Sequence, residues 1–292
     1  MTGQTVPMVG EEFVMGFRKQ NVWTKWIALA FFFGKVGSGM FILAVLLNTP
    51  LIALAGLVIE NVGKGGALII HLGRPERFWR AMSRPQSSWI SRTVWVMGVF
   101  TLIALLYLAM PQGSPAWQFF KVLALISGVV VAITDGFIMN DSPAIPLWNT
   151  PMLPFLFLLY SLLGGTSVFF FLVYGGWVGI TPLIDLETLE TALIIINLIG
   201  VAIYLASLAN ATATARESLR LLLRGQYSTM FYGFVVAIGF ILTLVLTLFL
   251  GASGGALVVG LITLADLIGH FFIFYLLLLV GVYAPVTGKL TI

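Results

Sequence analysis

Three observations predict an all-α integral membrane protein of about eight transmembrane helices, arranged as two four-helix bundles within a single polytopic domain. The first is composition. Of 292 residues, 60% are hydrophobic and only 9% charged, and mean hydropathy is +1.05. A water-facing domain would carry about 25% charged residues, so lipid must be the solvent. The second is the recurrence of apolar stretches close to the roughly 20 residues that cross a bilayer, separated by short polar or Gly/Pro punctuation. The third is charge segregation: basic residues gather in alternate loops and are nearly absent from the others.

The elements follow in order. MTGQTVPMVGEEF at the start is polar and mildly acidic, without the basic, apolar and cleavage regions of a secretory signal, so the first span is expected to remain as a membrane helix. Spans are expected near 22–47, 51–71, 90–110, 116–139, 149–174, 189–210, 229–250 and 256–284. Tight connections such as NTP at 48–50 and GASGG at 251–255 make neighbouring helices antiparallel. The halves, roughly 22–140 and 148–284, each open on a helix with a small-residue patch, GKVGSG at 34–39 and SLLGGT at 161–166. Small residues let helices approach closely in lipid; the patches suit plain helix packing or an internal duplication.

Eight spans put both termini on one side. On that side fall Arg18, Lys19, the loop with Arg74, Arg77, Arg80 and Arg84, the segment with Arg216, Arg220 and Arg224, and Lys289. The opposite loops are expected to hold Asp185, Glu187 and Glu190. By the positive-inside rule the termini are cytoplasmic in a prokaryotic inner membrane. The basic excess is read as orientation, lipid contact and docking, with no nucleic-acid partner expected.

Ionisable groups inside the spans cost about 2.5–3.5 kcal/mol each on insertion scales, so each needs a reason. Lys35 lies midway along the first span. Glu60 and Lys64 stand four apart on the second, on one helix face. Asp135 is near the terminal-side end of the fourth, and Lys121 near its other end, where it can snorkel. Asp266 and His270 share a face of the eighth. These groups either pair to fix the bundle or form a proton relay through Glu60, Lys64, Asp266 and His270.

Cofactor chemistry is bounded by what is missing from the sequence. No cysteine is present, so this chain ligates no iron–sulfur cluster. Its two histidines, His71 at a helix end and His270 near mid-span, do not match in depth, and no bis-histidine haem is expected. Retinal would need a lysine deep in a late helix, and the last four spans hold none.

The segment HLGRPERFWRAMSRPQSSWISR, residues 71–92, carries five arginines and a histidine between two apolar spans. His71 is expected to close the second helix. Pro75 would start a short interfacial helix with Trp79 at headgroup depth, and Pro85 would break it. His71, Arg77, Trp89 and Arg92 then sit near one membrane face. Asp135, Asn140 and Asp141 reach the same level, and WNTP at 148–151 starts the fifth span there. An imidazole that titrates near neutral pH, guanidinium donors, a carboxylate and an apolar flank are what a quinone head group and its tail require. The arginines also suit lipid phosphates.

HLGRPER, RPQSSWISR and AIPLWNTPMLPFLF at 144–157 resemble the NrfD/polysulfide reductase membrane-subunit family, related to dimethyl sulfoxide reductase anchors. The resemblance covers nearly the whole chain in length and span count. It implies a haem-free anchor that binds menaquinone or ubiquinone near the membrane face. Such an anchor exchanges electrons with a ferredoxin-like Fe–S subunit, and the complex is completed by a large catalytic subunit carrying a molybdenum or tungsten bis-pterin. The family's quinol-site histidine, and the arginine six residues on, match His71 and Arg77. Two departures stand out. Some anchors have a glutamate where this chain has Thr93, and KWIALAFFFG lacks the Asn and His that polysulfide reductase members carry early in the first helix.

The leading expectation is therefore a quinone-reactive membrane subunit of a multisubunit oxidoreductase. Quinone would be held by His71, Arg77, Trp89, Arg92 and Asp135, with Arg74, Arg80 and Arg84 docking the partner. A secondary transporter with a mid-membrane site at Lys35 and Glu60 is the rival from another class. A purely structural anchor is the third reading.

Overall fold

The computed structural model describes residues 17–180 and 184–284; the N-terminal stretch read for a signal and Lys289 lie outside the described residues. Eight helices are long and apolar enough to cross a membrane: Lys25–Leu46, Pro50–His71, Trp89–Ala109, Pro115–Asn140, Met152–Tyr174, Leu186–Ala209, Ser228–Phe249 and Gly251–Leu279, hereafter spans 1 to 8. Local chemistry sets several of their starts. Ser88 and Ser114 accept hydrogen bonds from Ser91 N and Trp117 N, and Asp185 accepts one from Glu187 N, each satisfying an orphan donor of the first turn. Pro50 and Pro115 occupy first-turn positions, where a missing N–H costs nothing.

Two ends differ from expectation. Span 5 starts at Met152 rather than within WNTP, because Trp148 turns inward: its indole donates to Leu277 O at 2.9 Å and stacks on Trp23 at 5.0 Å. Span 8 ends at Leu279 rather than 284, because Val282–Tyr283 (β2) pairs antiparallel with Arg18–Lys19 (β1). Gln20 ties this junction, donating to Leu278 O at 2.6 Å while its carbonyl accepts Val22 N and Trp23 N. The described chain ends thus meet on the face that carries His71. A short amphipathic helix, Ala213–Leu223, lies on that face too, burying Thr214, Ala215, Ser218 and Leu222.

The apolar core divides by depth rather than by position in the chain. One cluster, on the His71 side, takes Ile27 and Phe31 of span 1, Leu153–Leu163 positions of span 5 and Ile273–Leu278 positions of span 8. The other takes Met40–Val45 positions of span 1, Phe169 and Phe170 of span 5, and Val259 and Ile262 of span 8. Between them runs a middle layer of buried polar residues that includes Lys35, Ser38, Ser161, Ser167, Asp266 and His270.

Spans 1 and 5 cross in that layer, and the two small-residue patches make the crossing. A Cβ on Gly39 would collide with the Ser161 carbonyl, and one on Gly165 with the Gly39 backbone. Backbones this close leave no room for side chains, which is why glycine stands on both faces. Ser38 and Ser161 share a hydrogen bond of 2.8 Å, and Ser161 donates to Lys35 O at 3.0 Å.

Candidate functional site

Span 2 is not uniformly α-helical. Ile59–Lys64 forms a π-helical turn, a widening that recurs at functional sites. It stands where spans 1 and 2 touch: a Cβ on Gly37 would lie 2.8 Å from Gly56 O and 2.9 Å from Glu60 Cα. The turn carries Glu60 and Lys64 into the bundle, both fully enclosed.

There they meet Lys35 and Asp135 in a four-membered cluster. Lys64 Nζ bonds Glu60 Oε1 at 3.1 Å and Asp135 Oδ2 at 2.8 Å. Lys35 Nζ reaches the same Asp135 oxygen at 3.0 Å and donates to Ala132 O at 2.6 Å. Two cations face two anions, so formal charge cancels. Buried ions are tolerated under that condition, when paired and hydrogen-bonded. One oxygen, Glu60 Oε2, is left without a partner among the described residues.

The cluster floors a cavity of about 270 Å³. Lys64 and Asp135 supply its inner polar groups; His71, Leu72 and Phe78 stand at the membrane-face end; Ile27, Phe31, Ile90 and Met97 make apolar walls. Thr93 lines it as well, 4% exposed, and its hydroxyl has no hydrogen-bond partner among the described residues. Buried hydroxyls are nearly always satisfied, so this one is an unmet donor or acceptor facing a space that can hold a ligand.

Of the five residues expected to hold quinone, the structure brings two to this cavity, His71 and Asp135. Arg77 projects outward, its side chain 49% exposed and 4.0 Å from Glu76. Trp89 stacks on Phe137 at 4.7 Å, and the Arg92 guanidinium lies over it. Arg92 then donates to Pro85 O at 2.8 Å and Gln86 O at 2.7 Å. Trp89 and Arg92 therefore brace the loop rather than line the cavity. Pro75–Met82 is a 3-10 helix with Trp79 exposed, and Arg74, Arg80 and Arg84 are exposed around it. Lys121 does not simply snorkel: it donates to Asn48 Oδ1 at 2.6 Å, clasping the turn between spans 1 and 2.

Asp266 and His270 do not join the four-membered cluster. They belong to a second buried group, completed by a residue expected in a loop. Glu190 lies inside span 6, fully buried, because Asp185 caps the helix before it. Its place was readable: Glu190, Leu193, Ile194, Asn197, Val201 and Tyr204 recur at helical spacing on one face. Of the other two acids, Glu187 accepts Ala252 N at 2.9 Å, closing the turn before span 8. The Thr188 hydroxyl holds the Asp185 carboxyl below its usual range. On the basic face, Arg220 likewise lowers Glu217, with bonds of 2.7 Å.

The polysulphide reductase, NrfD family matches this chain over residues 14–285. Among curated proteins, a sulfite dehydrogenase membrane-complex component from Allochromatium vinosum, named as one of that enzyme's subunits, is 30% identical over 158 residues. That alignment spans 49% of this chain and 47% of the relative, about half the length of each.

Proposed function

This chain belongs to the polysulphide reductase NrfD family, and from that premise we propose that it is the quinone-reactive membrane subunit of a multisubunit oxidoreductase. The observation that carries the reading is the cavity, apolar along its walls, with His71 at one end and Lys64, Asp135 and the unpartnered Thr93 hydroxyl within. A quinone offers two carbonyl oxygens and an apolar tail, and this lining matches both kinds of surface. His71 hydrogen-bonds one oxygen. Lys64 and Thr93 are placed for the other.

Quinol and quinone differ by two electrons and two protons. The electrons pass to a ferredoxin-like Fe–S subunit docked over the exposed arginines Arg74, Arg77, Arg80 and Arg84, and a molybdopterin-type catalytic subunit takes or supplies them beyond it. That the relative is part of a sulfite dehydrogenase supports assembly with redox partners. Protons enter or leave through His71 and through Asp135, with Lys64 and Glu60 behind it. The basic face is placed in the cytoplasm by its charge.

Replacing His71 with Ala tests the reading. Quinol-linked turnover should fall about a hundredfold, the size of a lost acid–base group, while the protein still inserts and co-purifies with its partners. Unchanged turnover removes His71 from the site. Purification from native membranes as a single chain, with no cysteine-rich partner, would leave the electrons no path and would favour a transporter.

A further inference from the structure

The second buried group has no part in the quinone cavity. Glu190 on span 6 and Asp266 on span 8 flank span 5, close enough to feel each other's charge, with Ser167 beside both. Thr263, three residues before Asp266, donates to Ser167 O at 2.9 Å and fixes spans 5 and 8 in register there. Glu190 is 0% exposed and Asp266 2%. Both oxygens of Glu190, Oδ2 of Asp266 and the hydroxyl of Ser167 have no hydrogen-bond partner among the described residues.

The titratable and charged neighbours are few. His270, one turn along span 8, is 1% exposed with neither ring nitrogen bonded. Tyr160 of span 5 faces it at 5.0 Å between rings, its hydroxyl also unpartnered. Lys35 of span 1 is the cation whose charge reaches this side, and Asp135 holds its ammonium at 3.0 Å. Among the described residues no cation is left for the two acids.

Two carboxylates sharing a dry site without a counter-charge cannot both be ionised. We propose that Glu190 and Asp266, with Ser167 and His270, form a proton-binding site in the second half of the chain, separate from the quinone cavity, holding one proton shared between the two carboxyls. The unpartnered imidazole beside them is the adjacent group able to receive it. A shared proton turns one acid into a donor and satisfies an oxygen of the other, which accounts for acceptors that otherwise face nothing. The site rests on these residues alone and does not depend on quinone chemistry.

The test uses the full-length protein in native membranes at neutral pH. Dicyclohexylcarbodiimide adds the O–H of a protonated carboxyl across its C=N bond, with no leaving group, and reacts with buried acids in lipid rather than with ion-paired carboxylates. Peptide mass mapping should find the adduct on Glu190 or Asp266 and none on Glu60 or Asp135. Infrared spectra of the purified protein should show a protonated-carboxyl band that shifts in heavy water and is lost in both Glu190→Gln and Asp266→Asn. A band that survives both substitutions, or labelling confined to Glu60 or Asp135, overturns the proposal. So does labelling that sodium suppresses at constant pH, which would make the site one for a metal cation.

Discussion

The two buried polar groups sit in the same middle layer, yet solve the cost of burial in opposite ways. Around Asp135 two lysines meet two carboxylates, and the charges are held by direct bonds of 2.8 to 3.1 Å. Around Glu190 there are two acids and, among the described residues, no free cation. The first arrangement is satisfied by the protein itself and can be rigid. The second is satisfied only by something that binds, and the smallest such thing is a proton. Intramembrane charge is thus not one signal but two, and the local balance of signs separates them.

The largest expected effect comes from breaking the balanced cluster. Lys64→Met removes the bond to Glu60 and one of two bonds to Asp135, leaving an uncompensated buried charge at a cost of about 3–5 kcal/mol. Thermal unfolding in detergent should show a clear fall in midpoint, or the protein should fail to accumulate. A midpoint like that of the native protein would mean that the cluster does not hold the bundle. Asp266→Asn should do much less, since it removes an acid that has no partner to lose. Its midpoint should stay the same or rise slightly, and a large fall would reveal a cation bound between the acids. Smallest of all is Glu217→Gln on the basic face, where the partner Arg220 is fully in solvent and screening removes most of the interaction. The sign of its pH dependence is still defined. Arg220 depresses the Glu217 carboxyl, so the contribution is present above the ordinary carboxylate range and lost as pH falls through the lowered value. A difference between the two proteins, read from unfolding midpoints, should appear only on the neutral side, if at all.

Much of this architecture was legible in the sequence, for physical reasons that apply residue by residue. Span positions followed from hydropathy because lipid forces backbone groups to be satisfied within each helix. The patches at 34–39 and 161–166 signalled close packing, though not that they pack on each other; pairing between distant spans leaves no trace in local pattern. His71 and Asp135 reached the cavity because helix ends and buried charges are readable. Arg77, Trp89 and Arg92 did not, because loop residues near a site can brace it as easily as line it, and Arg92 spends its donors on Pro85 and Gln86. Thr93 looked like a missing glutamate and proves to be an open hydroxyl on the cavity wall. Glu190 was misplaced because three acids close in sequence, Asp185, Glu187 and Glu190, read as one loop, while the helix starts between the first and second.

The widened turn at Ile59–Lys64 sets the rotational phase of everything that follows on span 2. In an ordinary α-helix each residue advances the side chains by about 100°, so a π-turn behaves as a residue inserted without shifting the helix's neighbours. Removing one residue there would restore regular winding and still leave a helix long enough to cross the bilayer. His71 would then point about 100° away from the cavity it now borders. The site is therefore written partly as a count, and a length change of one in this turn would uncouple a well-inserted protein from its chemistry.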